Sequence, residues 1–444
     1  MTAGMVALRR LDGAPTILTC VAVPSAFLGN DVDPPLFSHE GIALLDIKIA
    51  EGRIAAMAPA GSMEGGIDLG GRQLWPRLVD MHTHLDKSHV YARVENPDFT
   101  IAGAREATVR DRSLNWTRGD LERRIDFSLR AAEHYGVGAI RTHLDSLEHL
   151  SAASWALFSD IRQAWRQRIE LQAVSLVPLE VYATPYGEHL AELVAEHDGV
   201  LGGVTIGPDT STAEGRDLLR RRLRCLFALA QANGLDLDLH VDETGDTGLQ
   251  TLSYVAEGIL ETGFSGKVAC GHCCSLALCD DDQALATIGL LKQAGVAIIT
   301  LPLPNMHLQD RSGSRTPRWR GVPPVKELLD GGVPVAIAGD NCRDAWFSYG
   351  DGDMVDTLRQ GSRILHLDDR LSAALAMAGP VPATLMGLAD AGRIRVGGPA
   401  DFIVFDARRI NHIFSRPQTA RVVIREGKAV NTSLPQYEEL DDLK

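Results

Sequence analysis

Residues 81–89, MHTHLDKSH, place three histidines, an aspartate and a lysine in nine positions, directly after the apolar run LWPRLVD. A strand that ends this way delivers ionisable groups to one place. The tetrapeptide THLD at 83–86 returns unchanged at 142–145, again behind a β-branched and apolar run. Reading outward from Leu74 gives eight such runs: LWPRLVDMHTH, AIRTHLD, IELQAVSLV, GVLGGVTIG, LDLDLHVDE, GKVACGH, VAIITLPLP and VPVAIAGD. Each is followed by a loop and an amphipathic stretch, the pattern of parallel strands joined by crossover helices. Eight units are what a closed (β/α)8 TIM barrel requires, so an α/β fold of that class is expected.

The helices carry their own signals. In TRGDLERRIDFSLRAAEHYG, 117–136, Thr117 and Asp120 suit a capping box, Ile125, Leu129 and Ala132 share a face, and Gly136 suits a C-terminal cap. Two β-rich flanks lie outside the barrel, near 15–73 and 393–434, with strand-like alternation in RVGGPADFIVFDARR and ARVVIREGKAV. They are expected to pair into one small β domain, residues 1–73 with 393–444, leaving 74–392 to the barrel. The polar stretch between Ser88 and Trp116 reads as a long loop, and loops of that length are usually lids or binding elements.

Composition narrows the function classes. The chain has 444 residues, 45% hydrophobic, enough for one large domain and a smaller one. Its 44 Lys and Arg against 58 Asp and Glu give a net charge of −14, which repels phosphate backbones and anionic lipid. Neither nucleic acid nor membrane is an expected partner; an assembly of identical subunits is admitted but not implied. Seven scattered cysteines fit reduced thiols better than a disulfide framework. Arg9 and Arg10 ahead of an apolar stretch raise an export signal, but Asp12, Gly13 and Pro15 interrupt it and TILTCVAV reads as a strand. A cytoplasmic location is expected.

The ionisable clusters fall at the carboxyl ends of the expected strands, the catalytic face of such a barrel. His82 and His84, two apart on a strand, point to one side. Strand five ends with His240 and strand eight with Asp340. Three imidazoles and a carboxylate suit one divalent ion, zinc or iron, with room for a water. His143, without a partner two positions away, is expected to support the site by hydrogen bonding. Lys87 and His89 are read as solvated loop residues. Cys270, Cys273, Cys274 and Cys279 resemble a zinc knuckle, but three of them crowd into five positions instead of forming two separated pairs.

VDMHTHLDKSH, IRTHLD, LHVDE, GHCC, LPNMHLQDR, RGVPPVKELLDGGV and GDNCRDAW, in that order over nearly the whole chain, resemble the amidohydrolase superfamily and its cytosine deaminase branch. The resemblance implies His82, His84, His240 and Asp340 as metal ligands, Glu243 as proton shuttle and His272 as the group that steadies an attacking water. It also extends to N-isopropylammelide isopropylaminohydrolases, a branch that tends to lack the acid at the position of Glu243. Two positions depart from the pattern. Arg77 stands where the superfamily usually has glycine, and the glutamine that reads cytosine after strand three is replaced by Pro178 or Leu179.

These residues imply a metal-dependent hydrolysis. Asp340 takes a proton from the attacking water, Glu243 protonates the ring nitrogen and then the departing amine, and ammonia leaves. The expected substrate is a small, neutral, cytosine-like amino-heterocycle, contacted by Leu179, Glu180, Asn305, Gln309, Asn341 and Trp346. An N-alkylaminotriazine aminohydrolase and a pterin-type deaminase are the alternatives within this class. A binuclear site bridged by a carboxylated lysine is disfavoured because no lysine occurs between Lys87 and Lys267. A non-catalytic barrel scaffold is the reading from another class.

Overall fold

The computed structural model describes residues 2–29, 40–417 and 420–443, so part of the N-terminal flank lies outside the described residues. The chain divides into two compact units. The first comprises 1–80, 129–139 and 352–435, and the second 81–128, 140–351 and 436–444.

The first unit is organised by a seven-stranded sheet built from both ends of the chain. Its strands are β1 (Thr16–Pro24), β2 (Ile42–Ala50), β3 (Arg53–Pro59) and β4 (Ile67–Pro76), then β13 (Phe402–Phe405), β14 (Arg421–Arg425) and β15 (Lys428–Ala429). They lie in the order β15-β14-β13-β4-β1-β2-β3, so β4 and β13 join the two termini, Trp75 opposite Ile403. Leu18, Val21, Val23, Leu45, Ile47, Leu74, Phe402, Val404 and Ile424 bury one core on this sheet. The run expected as one strand from Leu74 to His84 is therefore two: Leu74–Pro76 belong to β4, and a new strand begins at Leu78. Arg77 makes the break. It is buried, its Nη2 donates to Val137 O at 2.5 Å, and the space beside its Cβ exists because residue 138 is glycine.

Between the flanks, strands and helices alternate. In chain order these are β5 (Leu78–Thr83), β6 (Val137–Asp145), β7 (Glu170–Leu176), β8 (Leu201–Val204), β9 (Leu237–Val241), β10 (Val268–His272), β11 (Val296–Thr300) and β12 (Val335–Ile337). The α-helices that precede β10 are α1 (Ala3–Leu8), α2 (Ile101–Asn115), α3 (Arg118–Tyr135), α4 (Ser151–Trp165), α5 (Pro185–Glu196), α6 (Ala213–Asn233) and α7 (Leu252–Thr262). Strands β8 to β12 form a parallel five-stranded sheet in sequential order, and β5, β6 and β7 form a three-stranded one. Single parallel bridges join their edges: Val174 with Val200, Pro178 with Val204, and Thr83 with Asp340. Strand interiors such as VAIIT and LDLHV are wholly buried, as parallel strands covered on both faces must be.

The stretch after β5 is not the open loop expected from sequence, since half of it is helix α2. Thr100 caps it by accepting from Gly103 N at 3.0 Å. Its buried face is Gly103, Ala104, Ala107, Thr108 and Asp111, residues too small or polar to register as an apolar stripe. Ala104 and Ala107 pack with Val94 and Ala345, and Trp346 covers them. The cap expected on α3 is half present. Thr117 Oγ1 accepts from Asp120 N at 3.2 Å, whereas the Asp120 carboxylate turns to Arg93 and Arg124.

Candidate metal and catalytic site

The strands β5, β6, β9, β10 and β12 bring their carboxyl ends to one buried cluster. His84 Nε2 lies 3.2 Å from His240 Nε2 and 3.2 Å from Asp340 Oδ1, and His82 Nε2 lies 3.7 Å from the same oxygen. Donor atoms of His82, His84 and Asp340 fall within 4.8 Å of one another, and a second such set joins His82, His143 and His240. Four residues at these strand ends hold left-handed backbone without being glycine: Asp242 at φ 50°, His272 at φ 69°, Cys273 at φ 51° and Asp340 at φ 64°. Such conformations cost on the order of 1–3 kcal/mol each and persist where the surroundings enforce them. For Asp242 the enforcement is visible. Its carboxylate accepts from Thr251 N at 2.8 Å, Thr251 Oγ1 at 2.7 Å and Leu252 N at 3.1 Å at the start of α7.

The cluster fits a cation. Both carboxylate oxygens of Asp340 and Nε2 of His82 are buried without a hydrogen-bond partner. A buried carboxylate left so is expensive unless a positive charge faces it. Burial, then the neighbouring histidines, push His82 and His240 well below the usual imidazole range, so both stand ready as neutral ligands. His143 Nε2 sits 3.1 Å from His82 Nδ1, which fixes the ring and leaves Nε2 facing the cluster. Behind it Asp238 lies 3.7 Å from His143 Nε2 and is held by Arg141 Nη1 at 2.9 Å.

Glu243 follows β9, with its side chain 15% exposed and Oε1 3.7 Å from His272 Nδ1. Burial, reinforced by the negative charge of Asp340, pushes its carboxyl up to about 8, against the opposing pull of His84 and Arg105. Asn305 Nδ2 lies 2.9 Å from His272 Nδ1. With the amide donating, the imidazole proton resides on the buried, unpartnered Nε2.

A cavity of about 240 Å³ opens on this cluster. Its polar lining includes His84, Glu243, His272, Asp340, Asn341 and Lys87; Leu176, Val177, Pro178, Val204 and Trp346 supply the apolar wall. Of the expected substrate contacts, the structure brings Asn341 and Trp346 to the cavity, and does not bring Leu179, Glu180, Asn305 or Gln309. After Pro178 the chain turns into a short 3-10 helix, Leu179–Ala183. That turn buries Leu179 and sends Glu180 outward to Arg222 at 3.2 Å. Asn305 stands behind His272, and Gln309 is buried away from the opening.

The family model for the amidohydrolase family matches residues 103–431. The chain belongs to the amidohydrolase family. Over 435 residues, 97% of each chain, this amidohydrolase is 45% identical to a pterin deaminase of Rhizobium rhizogenes strain K84. It is 25% identical over 380 residues to an N-isopropylammelide isopropyl amidohydrolase of Pseudomonas sp. strain ADP, covering 84% of this chain and 89% of the other. Among solved structures it resembles a 5-methylcytosine deaminase from Klebsiella pneumoniae liganded with 5-fluorocytosine, with TM-score 0.80, 25% identity and coverage of 95% and 98%.

Several cavity residues of this amidohydrolase were not picked out from sequence. Lys87, read as solvated, is buried, with Nζ 2.6 Å from Asp145 Oδ1 and 3.5 Å from Asp86. Burial disfavours its charge, but Asp145 and Asp86 outweigh that and raise its pKa. The signal was present in the repeated THLD, whose second aspartate is this partner. His89, also read as solvated, packs on Phe127 with ring centroids 4.7 Å apart, and burial pushes it down to about 3. Arg105, Thr108, Val109 and Arg112 reach the cavity from α2, which sequence reading treated as loop. The loop after β12 is organised by Asp344, whose carboxylate accepts from Asn341 Nδ2, Trp346 N and Phe347 N at 2.6, 2.9 and 2.9 Å. Trp346 Nε1 then donates to Thr108 Oγ1 at 2.9 Å. No cysteine belongs to either metal-competent group among the described residues, and the described cysteines are free.

Proposed function

We propose that this amidohydrolase hydrolytically deaminates an amino-substituted N-heterocycle, using one divalent ion, zinc or iron, held by His82, His84, His240 and Asp340. The observation that carries the reading is Glu243, a carboxyl biased to keep its proton at pH 7, on the wall of a cavity whose floor is a buried histidine and aspartate set with unpartnered donor atoms. A divalent ion there would supply Lewis-acid activation of the attacking water. The chain does the rest. Asp340 accepts the proton of the attacking water, and Glu243 protonates the ring nitrogen. His272 steadies the developing charge through Nε2–H. Glu243, now ionised, takes up the hydroxyl proton of the tetrahedral carbon and passes it to the amine, which leaves as ammonia while the ring carbon keeps the oxygen, and the proton held by Asp340 restores Glu243. His143, engaged with His82 Nδ1, positions that ligand.

The three bridges between the two sheets support reading the eight strands as one closed barrel with its catalytic face at their carboxyl ends. The seven-stranded sheet supports a small β domain made by residues 1–73 and 393–444, with 74–392 left to a barrel. Within the substrate class, likeness to a pterin deaminase over nearly the whole chain favours a pterin-type ring over the cytosine-like monocycle put first from sequence. The apolar Pro178 at the cavity wall agrees, since it cannot donate a hydrogen bond to cytosine. No described helix is long and apolar enough to cross a membrane. The free cysteines support a cytoplasmic setting. The test is ammonia release by protein of measured metal content from a pterin, cytosine and an N-alkylaminotriazine. Release from the pterin is expected, and silence on all three would leave the scaffold reading.

A further inference from the structure

The cavity is lined by three cations, Lys87, Arg105 and Arg112, which differ in what opposes their charge. Lys87 and Arg112 share Asp145, one on each carboxylate oxygen. Asp340 belongs to the histidine cluster. Arg105 has no hydrogen bond or ion pair among the described residues. It stands with Thr108, Val109 and Arg112 along the face of α2 that looks into the cavity. On that face the Thr108 hydroxyl is already engaged with Ala104 O at 2.8 Å and Trp346 Nε1. Arg105, exposed at the edge of this wall, is therefore its one polar group left to meet a ligand. Arg105 and Glu243 line the same cavity, so a ring with its amine-bearing carbon at Glu243 has Arg105 on the wall available to its other edge.

We propose that Arg105 is a specificity-determining residue that selects heterocycles bearing an anionic substituent, a carboxylate, on the edge remote from the reacting amine. The inference deepens the deaminase reading and rests on it. A guanidinium presents a planar fork that matches a carboxylate, and such charge-assisted pairs are the strong hydrogen bonds of binding sites. A chain of net charge −14 repels an anionic substrate at long range, and an exposed arginine on the cavity wall that no carboxylate pairs gives one a partner.

The test compares two pterins substituted at the same ring carbon, one with a carboxylate and one with an uncharged hydroxymethyl group. They are assayed with the metal-loaded wild type, Arg105→Gln and Arg105→Lys. In the wild type, kcat/KM for the carboxylated pterin should exceed the other on the order of tenfold, the usual worth of a hydrogen bond between charged groups. Arg105→Gln should erase that ratio through KM, Arg105→Lys should keep part of it, and added salt should shrink it. Fluorescence titration of both pterins reads the same preference without turnover. Preferential binding of the carboxylated compound that disappears in Arg105→Gln supports the anion site even without ammonia release, in which case the deaminase reading alone fails. Equal affinity for the two compounds in the wild type, or an unchanged ratio in Arg105→Gln, overturns it.

Discussion

Replacing Glu243 by glutamine removes the acidic proton and almost no volume. Burial, reinforced by Asp340, pushes the carboxyl up to about 8, which favours its protonated form at pH 7. Glutamine occupies the same wall beside His272 and has no proton to give. His272 does not replace it, because burial lowers its pKa and holds it neutral. The expected loss in kcat is on the order of 10²- to 10⁴-fold, the range for a general acid–base, or about 3–5 kcal/mol in barrier height. The assay is ammonia release at saturating pterin, with metal content measured on the same preparation. Metal content should stay at the wild-type value, since Glu243 is not among the groups close enough together to hold the ion. A variant within threefold of wild type, metal retained, would refute the proton path described here.

Further outcomes follow from the same geometry. His82→Ala and Asp340→Ala should each lose metal and turnover together, from a wild-type content of one equivalent per chain; elemental analysis finding two equivalents would contradict a single site. The proton on Glu243 is present below its pKa and lost above it. Activity should therefore fall as pH rises through about 8, or lower where a bound cation offsets Asp340, and a pH–rate profile still flat at pH 9.5 would exclude Glu243 as the acid. Unmodified cytosine should be a weak substrate in kcat/KM beside a pterin, because Pro178 leaves one ring edge without a hydrogen bond; a preference for cytosine would show that this position does not set specificity.

The parts of the site that sequence made legible are those tied to strand ends. A β-branched run closing in His-x-His, or in a lone His or Asp, places its last side chains at the end of the strand, and that brought His82, His84, His240 and Asp340 into view together. What stayed hidden depends on contacts between distant segments. Lys87 reads as solvated until Asp145, 58 positions later, lies beside it. Helix α2 has no apolar stripe because alanines suffice for its packing. Glu180 sits at the right place in the chain, yet one turn of 3-10 helix aims it at Arg222. The break at Arg77 was masked because β4 and β5 are both apolar runs, separated by only one residue.

The central claim, hydrolytic replacement of a ring amine by a solvent oxygen, is tested most directly by one turnover reaction in heavy-oxygen water. Metal-loaded protein and a pterin are incubated, and the product is analysed by mass spectrometry alongside the ammonia released. The account predicts one heavy oxygen in each product ring and one ammonia per product. Ammonia without the label, or a product that keeps its amine nitrogen, would contradict it.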